Sequence, residues 1–581
     1  MDCSWPVGGL LSSAIAKARQ QEPAQPRPQW PTPRVVAVRE AERARQAIER
    51  ILARGPRALG VALDLRNPEG ARLRSGDDPR PARIESVAIA VPEDDAGRAA
   101  VLLLERELLG QAGGLALIDP LLAGGEEQPY LVFADAHAAL AVLSREGRPL
   151  PGRYGCLTVA ATLLAEGADR RRDHRPLDRL VREELERELP EGLLGATGQR
   201  LPCEAEAQLV LLEHMTPELR RRRLARVYQF ECELLPTVVD MERAGIGLDP
   251  AGFERVAGGW VRERGELDAA MSGAGEPSQE QTDRLARLDK LISTYRWWAR
   301  DFVDPDHRIR CRLHPLAADS GRFACTDPNL QQVPSEHTAP GLRACFRPAP
   351  GNVLIVADYA QIELRVAAHL APCDALRAVF RAGRDPHRAT ASTLAGKPEH
   401  AIDDHERKLA KAVNFGFLFG MGARRFREYA RDSYGLELDE RQAEDARAAF
   451  FRTFPGIAAW HRRVRGLSRQ GEHEAVTVTT VMGRRRTFLP GKFSYNAALN
   501  IPVQGTAAEG FKLAMLALHR RLPEIGGRGV LVVHDEYLAE VPRERAEQGR
   551  ALVEGVMVEA MASLVDSVPI LVDAEVAEHW G

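Results

Sequence analysis

Apolar positions along this chain change their period several times, and the places where an apolar run breaks on charge mark its most informative elements. The run 353–357 has the length of a buried strand and stops at the carboxylate Asp358. Beyond it Ile362, Val366, Ala367 and Leu370 follow helical spacing, which predicts a turn into a helix carrying Glu363 and Arg365 on its first turn. A second run, 529–533, breaks at His534-Asp535-Glu536 and resumes through Val541, the pattern of a β-hairpin with acids at its tip. Within 406–420, Arg407, Lys411, Phe415 and Phe419 recur every four residues and predict one face of a helix. Between residues 35 and 215, strand-like runs (58–65, 84–91, 130–133) alternate with helical stretches, predicting an α/β domain. A long helix stops at Gly245 and enters a strand, and a later helix over 288–295 puts Lys290 and Thr294 on one face. Residues 1–34 hold Pro23, Pro26, Pro28, Pro31 and Pro33 and predict a disordered tail.

Each motif alone has an ordinary reading: a helix-capping aspartate, a charged hairpin tip, a solvated basic turn before core phenylalanines. Together they point to chemistry. Acids at neighbouring strand ends repel unless a cation sits between them, and hard carboxylates with open water positions suit Mg²⁺. Two such ions about 4 Å apart clamp the attacking and leaving oxygens of a phosphoryl displacement. Cations followed by rings along one helix face match the phosphates and base of a nucleoside triphosphate.

Composition adds bounds. A chain of 581 residues suggests three or four domains. Its hydrophobic fraction of 44% and charged fraction of 28% are those of an ordinary globular protein, and its net charge of −3 does not announce a nucleic-acid binder. The eight cysteines form no Cys-x-x-Cys pair, which argues against a zinc ribbon or disulfide framework and fits a reducing cytosol. No stretch approaches ~18 uninterrupted apolar residues, and Asp2 stands where a signal peptide would be basic. The expectation is a cytoplasmic, membrane-free monomer.

The three charged stretches resemble motifs A, B and C of family A DNA polymerases. Ser320-Gly-Arg322 with 327–334 and the Asn500-Ile-Pro-Val-Gln504 segment resemble two further family segments in the family order, and Gly383-Arg-Asp-Pro-His387 matches another. The resemblance implies a multidomain α/β and α+β fold. A right-hand polymerase occupies 216–581, with a short thumb at about 250–305, palm at 306–371 and 475–581, and fingers at 372–474. An RNase H-like, 3′-to-5′ exonuclease-type domain precedes it at 35–215. It implies attack of a primer 3′-hydroxyl on an incoming deoxynucleoside triphosphate. Asp358, Asp535 and Tyr359 would hold two Mg²⁺ ions, for which Mn²⁺ can substitute, and Glu536 and Lys411 would complete the catalytic set. Arg407, Lys411, His387, Phe415, Phe419, Gln361 and Glu363 would bind the nucleotide, with Glu363 closing the pocket against a ribose 2′-hydroxyl. Lys290, Thr294, Arg322, Asn329, Gln331, Arg484, Asn500, Gln504 and His534 would contact primer–template DNA. Phe415 in place of tyrosine implies poor acceptance of dideoxynucleotides; Phe419 in place of tyrosine and Ala360 in place of serine are further departures. The short thumb implies weak grip on the duplex or a processivity partner.

The exonuclease resemblance lacks its metal set. Asp64-Leu-Arg66 puts Arg66 where a carboxylate ligand belongs, Asp135 sits in a poor match, and Glu204 or Glu206 lacks the tyrosine expected four residues earlier, where Arg200 or Pro202 stands. The expectation is an inactive exonuclease fold and no 5′-nuclease. The alternatives are a single-subunit RNA polymerase, opposed by Glu363, and a non-catalytic DNA-binding replication scaffold, opposed by the full set Asp358, Asp535, Arg407 and Lys411.

Overall fold

The structure, a computed structural model, describes residues 27–73, 77–92, 99–125, 128–167, 176–190, 200–273 and 278–581. Its first layer is a six-stranded sheet of β1 (Arg34–Val38), β2 (Ala58–Arg66), β3 (Arg83–Val91), β4 (Ala100–Leu104), β5 (Tyr130–Phe133) and β6 (Tyr154–Cys156), in the order β1-β4-β3-β2-β5-β6. β2, β3 and β4 run antiparallel, while β1/β4, β2/β5 and β5/β6 are parallel. Helix α1 (Arg200–Arg221) lies so close to β2 that a Cβ at Gly60 would stand 1.9 Å from the Ala205 carbonyl oxygen. Only glycine allows that approach.

The expected tail is ordered where it can be seen. Residues 1–26 lie outside the described residues, but Trp30 is 5% exposed and its indole N–H donates to Glu206 at 2.7 Å. An indole buries too much apolar surface to stay in water when a sheet edge lies within reach.

Helix α2 (Ala225–Ala244) ends at Gly245, whose φ of +58° and crowding by Ile309 and Arg310 require glycine. Helices α3 (Pro250–Gly273) and α4 (Gln279–Tyr295) pack together. α4 starts nine residues before the expected 288 because Ser278 and Gln281 form a reciprocal capping box.

The C-terminal sheet has the order β10-β11-β7-β12, all antiparallel, from β7 (Asn352–Tyr359), β10 (Arg528–Val533), β11 (Glu536–Pro542) and β12 (Val572–Ala577). The intervening strands β8 (Val476–Thr479) and β9 (Arg485–Phe488) form a separate hairpin. Every residue from Val353 to Ala357 is buried, so β7 is covered on both faces and reads as a continuous apolar run rather than an alternation. Between β7 and the end of the sheet come α5 (Ile362–Leu370), α6 (Pro386–Ala395), α7 (Asp404–Leu418), α8 (Ala423–Tyr434), α9 (Glu440–Thr453), α10 (Pro455–Gln470), α11 (Tyr495–Arg521) and α12 (Ala546–Ala562). Phe511 of α11 packs edge-on to both Tyr359 and Tyr537, fixing that helix against the two central strands.

The N-terminal layer is bolted to the β8/β9 hairpin through Glu166. That buried carboxylate accepts from Arg485 at 2.7 Å and from the Thr487 hydroxyl, pairs with Arg222 at 3.3 Å, and its carbonyl takes the Thr487 N–H at 3.0 Å.

Candidate active site

β7 continues one residue past Asp358, which places Asp358 inside the ladder between Glu536 on β11 and Asp573 on β12. Three acids thus sit side by side across three strands, and Asp535 occupies the turn beside them. The Asp358 carboxyl opens on solvent yet is pushed up to about 7, first by lost hydration in the cleft, then by the charges of Asp535 and Glu536, with Asp573 adding to them. Burial likewise raises Glu536, which the Trp580 indole steadies at 3.3 Å. The sequence reading missed Asp573; its signal was the same as for the other acids, an apolar run (568–572) broken by a carboxylate. The Tyr359 hydroxyl is spent on the Met557 carbonyl at 2.7 Å, leaving only its main-chain oxygen as a metal ligand.

Arg322 links this cluster to the next element. One guanidinium nitrogen donates to Glu363 at 3.0 Å and to Asp535 at 3.1 Å, and the Gln504 amide donates to the same Glu363 oxygen at 3.0 Å. Gln361 and His534 take positive φ at the two turns, +56° and +58°, which lets the chain reverse next to the acids. Arg322 Nε, Asn329 Oδ1 and Asn500 Oδ1 are buried without a hydrogen-bond partner. Three orphaned polar atoms around one cleft are what a polar ligand would satisfy. Gln331 departs from expectation: it is 8% exposed and donates to the Val532 carbonyl at 3.3 Å, so its amide props up the acid-bearing hairpin instead of facing an open groove.

On α7, Arg407 and Lys411 reach solvent and Phe415 is half-buried, along one face. Phe419 is not on that face, since the helix ends at Leu418 and Phe419 is its C-cap with φ of −100°. Gly420 (φ +79°) turns the chain there. Arg407 is held by Asp385 at 2.6 Å, the residue that also caps α6 through the His387 N–H. His387 was expected as a phosphate contact; it is 2% exposed, with Nδ1 bonded to the Asn414 amide at 2.9 Å. Its pKa falls to about 4, chiefly by burial, which Asp385 opposes and Arg407 and Lys411 reinforce. It is therefore a neutral donor through Nε2, not a cation.

Residues 269–581 match the model of DNA polymerase family A. The chain belongs to this family. It is similar to the thermostable DNA polymerase I of Thermus filiformis, 38% identical over 58% of this chain and 40% of that protein, and to that of Thermus aquaticus, 38% identical over 52% and 36%. DNA polymerase I of Aquifex aeolicus is 35% identical over 47% of each chain. The chain thus spans less than half the length of these curated relatives. Among solved structures, the POL domain of Pol1 from M. smegmatis, in complex with DNA primer-template and dNTP, superposes with a TM-score of 0.79. That match covers 94% of this chain and 99% of that one at 23% identity, and it shows the fold.

One expected DNA contact of this family A chain is corrected outright. Arg484 is 7% exposed and donates to Glu231, which also accepts from Lys512 at 2.8 and 3.0 Å. Its neighbours are also engaged, Arg485 by Glu166 and Arg486 by Asp319 at 3.6 Å. A phosphate cannot compete for the Arg484 guanidinium, already neutralised in the interior. Lys290 and Thr294, by contrast, are exposed on α4. Removing Lys290 (Lys290→Ala) is expected to lower the slope of log affinity for duplex DNA against log salt by about one phosphate contact, whereas Arg484→Gln leaves that slope unchanged. Equilibrium binding from about 50 to 200 mM salt reads the difference.

In the N-terminal layer the acids meet arginines. Asp64, 1% exposed, pairs with Arg66 at 3.1 Å and Arg72 at 3.3 Å; Glu204 is held by Arg72 at 2.5 Å and Arg200 at 2.9 Å. Glu206 is taken by Trp30, and Asp135 caps a helix through the Ala138 N–H at 3.2 Å.

Proposed function

We propose that this chain adds deoxynucleotides to a primer 3′-hydroxyl under the direction of a DNA template. The observation that carries the reading is the row Asp358, Glu536 and Asp573, with Asp535 at its edge and Glu363 tied to it through Arg322. Family A DNA polymerases generally use divalent metal ions, and the donor set here suits Mg²⁺: crowded carboxylates whose repulsion a cation relieves, with room for water and phosphate oxygens. Asp358, Asp535 and the Tyr359 carbonyl would hold it. When bound, the two ions lower the pKa of the primer hydroxyl and neutralise charge on the departing pyrophosphate.

The chain's own residues do the rest. Lys411 and Arg407 neutralise and orient the triphosphate, with Lys411 free to give a proton to the leaving group. His387 adds a neutral hydrogen bond, and Phe415 stacks on the new base. Glu363, fixed by Arg322 and Gln504, presents a rigid wall at the sugar. Arg322, through its unpartnered Nε–H, and Asn329 and Asn500, through their amide N–H groups, donate to the minor groove of the new pair, where acceptors occupy similar positions in every correct pair. In the N-terminal layer, Arg66, Arg72 and Arg200 occupy the charge of Asp64 and Glu204, so the domain is proposed as a scaffold without proofreading chemistry. No helix among the described residues is long and apolar enough to cross a membrane, and a cytoplasmic monomer acting on primer–template DNA, with a processivity partner compensating for the short α3/α4 thumb, completes the proposal.

The test is extension of a labelled, partly mispaired primer with Mg²⁺ and either deoxynucleotides or ribonucleotides. Deoxynucleotide-dependent extension without 3′ trimming is expected. Glu363→Ala should narrow the preference over ribonucleotides by at least about tenfold, a loss of roughly 1.4 kcal/mol of discrimination. No extension by wild type would favour the scaffold reading, and trimming would show that the arginine-held acids still act.

A further inference from the structure

A cavity opens among the end of α2, the end of α11 and the β10/β11 hairpin. It has a volume of about 380 Å³, within the range of small-molecule sites, and is walled by Met241, Ala244, Leu522 and Pro523. Two hydroxyls reach it. Thr237, 1% exposed, has its Oγ1 buried with no hydrogen-bond partner. Tyr537, also 1% exposed, extends its hydroxyl over Gly529, where a Cβ would come within 2.2 Å. An orphaned buried hydroxyl at the wall of an apolar cavity is a cost that a bound acceptor would remove.

The charges around the mouth favour an anion. Arg528 pairs with Glu540 at 2.9 Å, but Arg308 also claims that carboxylate at 2.8 Å, so two guanidinium groups share one negative charge. Arg243 stands 3.9 Å from Asp240, and His519, lowered in pKa mainly by burial, stands 3.7 Å from the same aspartate. The cations Arg243 and Arg528 thus outweigh the acids facing the opening.

We propose that this cavity is a binding site for a small, mostly apolar molecule bearing one anionic group, its body between Met241 and Leu522 and its charge at Arg243 and Arg528. The floor is Tyr537, the residue after Glu536 and the ladder partner of Ala357, so an occupant would touch the strand that carries the acids from behind.

The probe is 8-anilinonaphthalene-1-sulfonate, read by its fluorescence on titration into the folded protein. One saturable site is expected, about fivefold weaker in Arg243→Gln and in Arg528→Gln, and lost in Ala244→Phe, which fills the cavity. The uncharged N-phenyl-1-naphthylamine should bind about tenfold more weakly than the sulfonate. Thermal melting identifies any variant that does not fold; should Ala244→Phe be one, Thr237→Val and the two glutamine variants, all conservative, carry the test. Equal affinity across all folded variants overturns the site, and equal affinity for the charged and uncharged probes overturns its preference for an anion.

Discussion

Asp358→Asn is expected to slow primer extension by at least about 10³-fold while leaving the protein folded. The substitution keeps the side chain's size and removes the charge that would anchor the metal ions, whose stabilisation of the transferring phosphoryl group is worth several kcal/mol. A second readout separates lost chemistry from lost structure. With divalent ions chelated, Asp358 is a carboxyl held at about 7 in the fold and in the ordinary carboxylate range when unfolded. Between those values the native state keeps a proton that the unfolded chain has released, so raising the pH through this window costs the wild type stability. Asparagine does not pay it. The variant should therefore melt above the wild type at pH 7.5 to 8, and the gap should close below about pH 4. Extension within tenfold of wild type would remove Asp358 from the reaction, and a variant that melts lower at pH 8 would show that the carboxylate holds structure.

Glu231→Ala is expected to be the most destabilising single change in the core of the polymerase half, by about 3 to 5 kcal/mol. Glu231 is fully buried and neutralises Arg484 and Lys512, the latter 1% exposed and also bonded to the Pro315 carbonyl at 2.7 Å. Without it two cations stay in the interior with only Glu509, already bonded to Thr480 and the Met482 N–H, as a nearby carboxylate. Burial already lowers Lys512 to about 8, against the pull of Glu231. With a folded pKa below the unfolded one, the unfolded chain binds more protons in between, so stability from this group rises with pH. Losing Glu231 lowers the Lys512 pKa further, and the variant's deficit should be larger at pH 6 than at pH 9. Urea unfolding at both values measures it; a deficit under about 1 kcal/mol would mean that water reaches the triad.

What could be read from the sequence was what depends on neighbours in the chain. The run 353–357, the hairpin acids and the Arg407/Lys411 face of α7 are local patterns, in which an apolar period meets a charge at a fixed offset. The errors share another cause. Arg484 looks in sequence like any phosphate-seeking arginine; its partner Glu231 lies 253 residues away. For His387 the sequence could not show its burial against Asn414, on another helix, which leaves it a neutral group. Phe419 keeps the spacing of Arg407, Lys411 and Phe415, but Gly420 ends the helix just there. Trp30 falls in a proline-rich segment, and only the fold reveals Glu206 waiting for its indole. Asp573 was missed although an apolar run breaks on it as on the other acids, because its pairing with Asp358 joins strands far apart in the chain.

The Glu166 bolt has a consequence for how such a chain can change. Arg485 and Thr487 on β9 both depend on a carboxylate that belongs to the N-terminal layer, while Arg222 is shared between it and Glu218, and Arg486 has Asp319 at 3.6 Å. Excising the N-terminal layer would therefore bare the Arg485 guanidinium and the Thr487 hydroxyl together, so the β8/β9 hairpin is expected to hold its place only while that layer stays folded beside it.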